Sequence, residues 1–117
     1  MATMSKVLLS GSTNGKAIKV AQTATAGDTI HTAVSGASDL DEIWLWAVNS
    51  SGSDVKLTLE WGEATAPDGN IEVTIEAESG LVQVAPGLLL QNGLIVKAFA
   101  ATTNVILLHG FVNRIST

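Results

Sequence analysis

Val55, Leu57, Leu59 and Trp61 alternate residue by residue with Lys56, Thr58 and Glu60. A period of two puts every apolar member on one face of an extended strand, and no helical phase gathers them. The alternation returns in Ile71, Val73 and Ile75 against Glu72, Thr74 and Glu76, where β-branched residues suit a half-buried pleated surface. Between the two runs, Pro67-Asp68-Gly69 offers a preset φ followed by a residue that tolerates positive φ. The spacing therefore predicts an antiparallel hairpin or a sheet-to-sheet connection.

Asn14-Gly15 lies between 5–10 and 16–21, and this dipeptide favours a type I′ turn because both central residues need φ > 0. An opening hairpin is expected there. Further strands are predicted over 29–34, 43–49, 81–85, 94–100 and 104–115, separated by Ser, Gly, Asp, Asn and Thr clusters. The stretch 33–45 carries Gly36 and no sustained helical stripe, so it reads as a loop with room for a single turn. Many short strands with no helix between them predict an all-β chain, a two-sheet antiparallel β-sandwich of jelly-roll type with about eight or nine strands.

At 117 residues the chain is the size of one domain, read here as 1–117, with 1–40 forming an N-terminal arm plus the hairpin. Six Lys+Arg against eleven Asp+Glu give a net charge of −5, which argues against a broad phosphate-binding surface and hence against nucleic acid as a partner. With no cysteine there is no disulfide, no thiolate metal site and no cysteine nucleophile. The short apolar patch in Met1–Ser10 is too small for a secretion signal, and Ile43–Val48 and Val105–Leu108 fall well below the ~20 residues of a membrane helix, so no membrane association is expected.

Some strands are apolar on both faces. Ile43, Leu45 and Ala47 oppose Trp44, Trp46 and Val48; Val105, Leu107 and Phe111 oppose Ile106, Leu108 and Val112. A two-layer sandwich buries one face of each strand. The surplus therefore calls for either a second subunit or partner, or cover from the chain's own loops. Trp44 and Trp46, at i and i+2, project from the same face and are the preferred subunit-interface anchors, with Ile106 and Leu108 beside them. Trp61 reads as core.

Catalytic patterns are weak. Gly11 to Lys16 superficially resembles a phosphate loop, but only three residues separate its glycines and Ala17 follows the lysine. His31 and His109 have no Gly-x-Ser-x-Gly nucleophile elbow beside them; His31 is expected on a solvated strand face and His109 as a hydrogen-bonded residue at a sheet end. Asp39, Asp41 and Glu42 offer the hard oxygens calcium prefers without the EF-hand spacing, and are expected in a solvated acidic loop. Glu60, Glu63, Glu72 and Glu76 read as the outward row of exposed strands rather than a glycosidase pair. No catalytic, cofactor-binding or metal residue is assigned, no cofactor is expected, and the protein is not read as an enzyme.

Glu42–Asn49, Val55–Gly62, Glu78–Val82 with Pro86-Gly87, and Val96–Ala100 through Gly110–Ile115 together resemble small virion structural proteins of tailed bacteriophages, of the capsid decoration or cement type. The resemblance implies a β-sandwich, often a homotrimer, that is made in the host cytoplasm, binds the major capsid protein at the outer capsid surface and reinforces the head. It supplies no catalytic residues. Within this reading Trp44, Trp46, Ile106 and Leu108 join subunits, and the N-terminal segment meets the capsid through Lys6 and Lys16. Two other readings remain open: a phage head-to-tail, tail or fibre component, and a carbohydrate- or receptor-binding sandwich that uses exposed tryptophans as platforms.

Overall fold

Nine strands and no helix make up residues 2–117, the part described by the computed structural model. They are β1 (Thr3–Val7), β2 (Ile18–Lys19), β3 (Asp28–Thr32), β4 (Leu40–Asn49), β5 (Val55–Trp61), β6 (Asn70–Ile75), β7 (Val82–Leu90), β8 (Ile95–Ala100) and β9 (Ile106–Ser116). One sheet runs β1-β9-β4-β7 with β2 also paired to β9, and the other runs β3-β8-β5-β6. From β2 onward the chain changes sheet at every step except β5 to β6. This is the two-Greek-key arrangement of a jelly roll, and it agrees with the sandwich expected from the alternation.

The β5–β6 hairpin forms as predicted, with Val55 opposite Ile75 and Leu59 opposite Ile71. Trp61 closes it: its amide donates to Gly69 O at 2.7 Å, while its half-buried ring donates through Nε1 to Leu89 O of the other sheet. Between the sheets lie Ile43, Leu45 and Ala47 of β4, Leu57 and Leu59 of β5, and Val96 and Ala98 of β8, all fully buried. Ile106 and Leu108 belong to this core as well, which removes them as subunit contacts. Leu108 faces Ala47 and Ile106 faces Asn49 across the β4–β9 ladder, and directly opposed residues share a face.

The opening hairpin does not form. Asn14 and Gly15 do take positive φ, 55° and 87°, but β1 and β2 do not pair with each other. Both lie along β9, β1 on 112–116 and β2 on 107–108. The segment between them reaches across to the other sheet, where Gly11 N donates to Ile30 O at 2.9 Å and Leu9 is buried. Residues 8–17 thus cap one side of the sandwich. The excursion satisfies backbone groups on β3, which a local hairpin would leave to solvent.

His31 is buried rather than solvated. The register of β3 on β8 shifts between Thr29 and His31, so Ile30 and His31 both end inside. One bulge inverts strand parity, and alternation read from sequence cannot locate it.

Candidate functional site

The outer face of the β4–β9 ladder carries the residues that the core leaves over. Its cross-strand pairs are Leu40/Ile115, Glu42/Asn113, Trp44/Phe111, Trp46/His109 and Val48/Leu107. Strict alternation in β4 sends Asp41, Ile43, Leu45, Ala47 and Asn49 inward and these partners outward. Eight residue steps from Leu40 to Val48, at about 3.4 Å each, make this strip about 27 Å long.

Trp44, Trp46 and Phe111 form one aromatic cluster. Their centroids are 5.9 to 6.3 Å apart and their planes lie within 26° of one another. The separation is within the 4.5–7 Å range of favourable aromatic pairs. Two glycines make the arrangement possible. Gly87 of β7 has φ 77°, and a Cβ there would sit 2.8 Å from Trp44 Cζ2, so the indole lies over bare backbone. Gly110 of β9 lets the strands close, because a Cβ there would run into Trp44 O of the neighbouring strand.

Polar groups hold the cluster's rim. Glu42 Oε1 accepts from Trp44 Nε1 at 2.7 Å and from Asn113 Nδ2 at 3.0 Å. These hydrogen bonds, that from Asn113 foremost, hold the Glu42 carboxyl below its ordinary value of 4.5. Lys6 of β1 places Nζ 4.5 Å from the Phe111 centroid, a cation–π contact. Lys6 is therefore part of the aromatic surface. Lys16, exposed in the 8–17 excursion, is not brought to it by any contact.

Beneath this face lies a second constellation. Asp41 is fully buried and receives Arg114 Nε on Oδ1 at 2.8 Å, with Arg114 Nη2, His31 Nε2 and Val34 N on Oδ2 at 2.9, 2.8 and 3.0 Å. The Ser10 amide donates to His31 Nδ1 at 3.0 Å, so the neutral ring carries its proton on Nε2 and donates it to Asp41. Burial works to raise the Asp41 pKa, but the hydrogen bonds from Arg114 and His31 and the Arg114 charge outweigh it and bring it below 3.8. The same partnership raises Arg114 above its ordinary value. The cluster ties β3, β4, β9 and the N-terminal excursion to one carboxylate.

Asp39, Asp41 and Glu42 thus do not form a solvated acidic loop. Asp41 and Glu42 are consecutive in β4 and point to opposite faces, and the Asp41 oxygens are already occupied by protein donors. They cannot converge on calcium. Glu60 also departs from expectation: it is buried, with Oε1 accepting from Gly27 N at 2.7 Å and Oε2 from the Thr25 hydroxyl. Residues 25–27 fold over the outer face of β5 and turn an outward carboxylate into an anchor. Glu60 also borders a cleft of about 220 Å³, with Glu63, Leu94 and Lys97 among its other walls. Glu63, Glu72 and Glu76 are exposed, as the alternation predicts.

The Asp41 cluster is the part that motif reading misses, although its signal is in the strand phase. Asp41 is in register with Ile43, Leu45 and Ala47, and Arg114 with Leu108 and Val112. An acid and a base that both fall on core positions imply a buried pair. Comparison of the chain with protein-family models, curated proteins and solved structures finds no match.

Proposed function

We propose that this chain is a non-enzymatic virion structural protein of the capsid-decoration type, seated on a shell of major capsid protein by the outer face of its β4–β9 ladder. One observation carries the reading: the aromatic cluster of Trp44, Trp46 and Phe111 stands on the solvent side of a sheet whose other side is a complete core. An outward sheet face is ordinarily polar. Here a strip two strands wide is apolar except for Glu42, His109 and Asn113, and tryptophan is the residue type most enriched where desolvation drives binding. Repetition of a modest contact over many symmetric copies supplies the avidity a shell-reinforcing protein needs. The likeness of 42–49, 55–62 and 96–115 to phage decoration proteins supplies the setting, and with it the expectation of a trimer at the capsid surface.

Shells purified from virus lacking this chain provide the test. Purified wild-type protein should co-sediment with them to saturation and raise the temperature at which they rupture. Trp44→Ser combined with Trp46→Ser should stay folded by circular dichroism and lose at least tenfold in binding. A wild-type protein that leaves the shells bare, or a double variant that binds as well as wild type, refutes the reading.

A further inference from the structure

Two turns of this chain share one dipeptide and one backbone shape. Glycine follows asparagine at Asn14-Gly15 and Asn92-Gly93, and at none of the other four asparagines. Both pairs take positive φ at both residues, 55° and 87° in the first and 62° and 69° in the second. Each turn is closed by one bond, from Lys16 N to Thr13 O at 3.0 Å and from Leu94 N to Gln91 O at 3.3 Å. Positive φ at both central residues is the type I′ geometry that favours Asn-Gly.

Their surroundings differ. In the second turn Asn92 N donates to Gly36 O and Gly93 N to Val34 O, both at 2.9 Å, so the 34–36 segment pins both central amides. In the first, no backbone carbonyl among the described residues accepts from the Asn14 or Gly15 amide, and both residues are exposed. Asp68-Gly69 resembles the second case, since Gly69 is buried and its amide donates to Thr65 O at 3.2 Å. The base of the 8–17 excursion is held by Gly11 N on Ile30 O and Ser10 N on His31 Nδ1, whereas its tip is closed only on itself, with Ser12 Oγ donating to Lys16 O at 2.7 Å. Opening the tip therefore costs local bonds and leaves both sheets intact.

We propose that Asn14 is a site of spontaneous deamidation, selected over Asn92 by the fold. Hydroxide takes the Gly15 amide proton, and the nitrogen attacks Asn14 Cγ. The bond from Cγ to the side-chain nitrogen breaks, ammonia leaves with a proton from water, and a five-membered succinimide remains. Water then opens the ring: attack at Cγ gives aspartate, and attack at the former Asn14 carbonyl carbon leaves Gly15 N bonded to Cγ and gives isoaspartate. No electrons are exchanged. Gly15 admits the attack because it has no Cβ to crowd the ring. An amide that donates to a carbonyl keeps its proton and cannot turn toward Cγ, so Asn92 reacts only when the 34–36 contact opens. Either product places a carboxylate two residues from Lys16 and makes the chain one charge more negative than −5. Isoaspartate also adds a methylene to the backbone of the Thr13–Lys16 turn and breaks the bond that closes it. The inference does not rest on the shell contact proposed above, because it uses only the bonds of the two turns.

Incubation of the full chain at pH 8, followed by tryptic mapping with mass spectrometry, tests it. Trypsin releases Val7–Lys16, in which Asn14 is the one asparagine, while Asn92 falls in Leu57–Lys97 and is located by fragmentation. In the folded protein Asn14 should convert at least tenfold faster than Asn92, to a mixture of aspartate and isoaspartate that chromatography separates. In urea, where the 34–36 segment no longer pins Asn92, the two rates should come together. Conversion of Asn92 as fast as Asn14 in the folded protein, an Asn14 that stays intact there while it converts in urea, a rate ratio that persists in urea, or aspartate formed without isoaspartate would overturn the inference.

Discussion

Arg114→Met isolates what the buried carboxylate contributes. The substitution keeps an unbranched apolar stem on β9 and removes both guanidinium hydrogen bonds to Asp41. Asp41 would keep His31 Nε2 and the Val34 amide as donors, but would lose the one formal positive charge that touches it among the described residues. Leaving one member of a buried pair without its partner typically costs about 3–5 kcal/mol. Arg114 is 30% exposed, so part of its attraction is screened, and a loss of about 2–3 kcal/mol at pH 7 is expected here. The pH dependence follows from the direction of the Asp41 shift. A carboxyl whose folded pKa lies below 3.8 adds stability at pH values above 3.8, and that contribution disappears as pH falls through the folded value. In the variant, burial is opposed by fewer partners and the Asp41 pKa rises. The gap between wild type and variant should therefore be widest near neutrality and should shrink below pH 3.8. Urea unfolding at pH 7, 5 and 3, followed by tryptophan fluorescence, measures it. A difference below 1 kcal/mol at pH 7, or one that stays constant down to pH 3, would refute the claim that Asp41 is a buried charge that depends on Arg114.

Gly110→Ala should destabilise by about 3 kcal/mol, because the added methyl meets Trp44 O of the neighbouring strand and only a backbone shift relieves it. Gly52→Ala, with open space around its Cβ, should stay within about 0.5 kcal/mol of wild type, and urea midpoints compare the two. Glu60→Ala should leave the Gly27 amide and Thr25 hydroxyl without their acceptor; exchange of the Gly27 amide with deuterium should accelerate at least tenfold while amides in β4 and β9 stay protected.

How much of this was legible beforehand depended on whether strand parity survived. In β4, β5 and β6 an unbroken period of two gave the correct faces, and the surplus apolar face of 43–48 is where the aromatic cluster lies. Both faces of 104–115 are apolar, so parity alone did not assign Ile106 and Leu108 to the core. Leu108 pairs with Ala47 and Ile106 with Asn49, so a register drawn between the two doubly apolar strands would have separated them from Trp44 and Trp46. Failure came where long-range pairing overrides local preference. Asn14-Gly15 takes the predicted φ values, yet the strands it joins find β9 instead of each other, and the bulge at Thr29/His31 turns a nominally outward histidine inward. Glu60 was misplaced because residues 25–27 cover its face, an event set by tertiary contacts.

The buried charges and the aromatic face are mechanically connected. Glu42, which fixes Trp44 and Asn113, is the chain neighbour of Asp41, which fixes Arg114 and His31. Asn113 and Arg114 are likewise neighbours on β9, paired with Glu42 and Asp41 across the ladder. One two-residue step on each strand thus holds a polar clamp on either side of the sheet. Such fully satisfied networks restrict a strand to one register, and a one-residue slip of β4 on β9 would bring Asp41 outward and Trp44 into the core. Aromatic residues on an open sheet face favour such slips, since either face of β4 could pack inward. The paired clamps therefore explain how a strand apolar on both sides keeps Trp44 and Trp46 on the outside, where a partner can reach them.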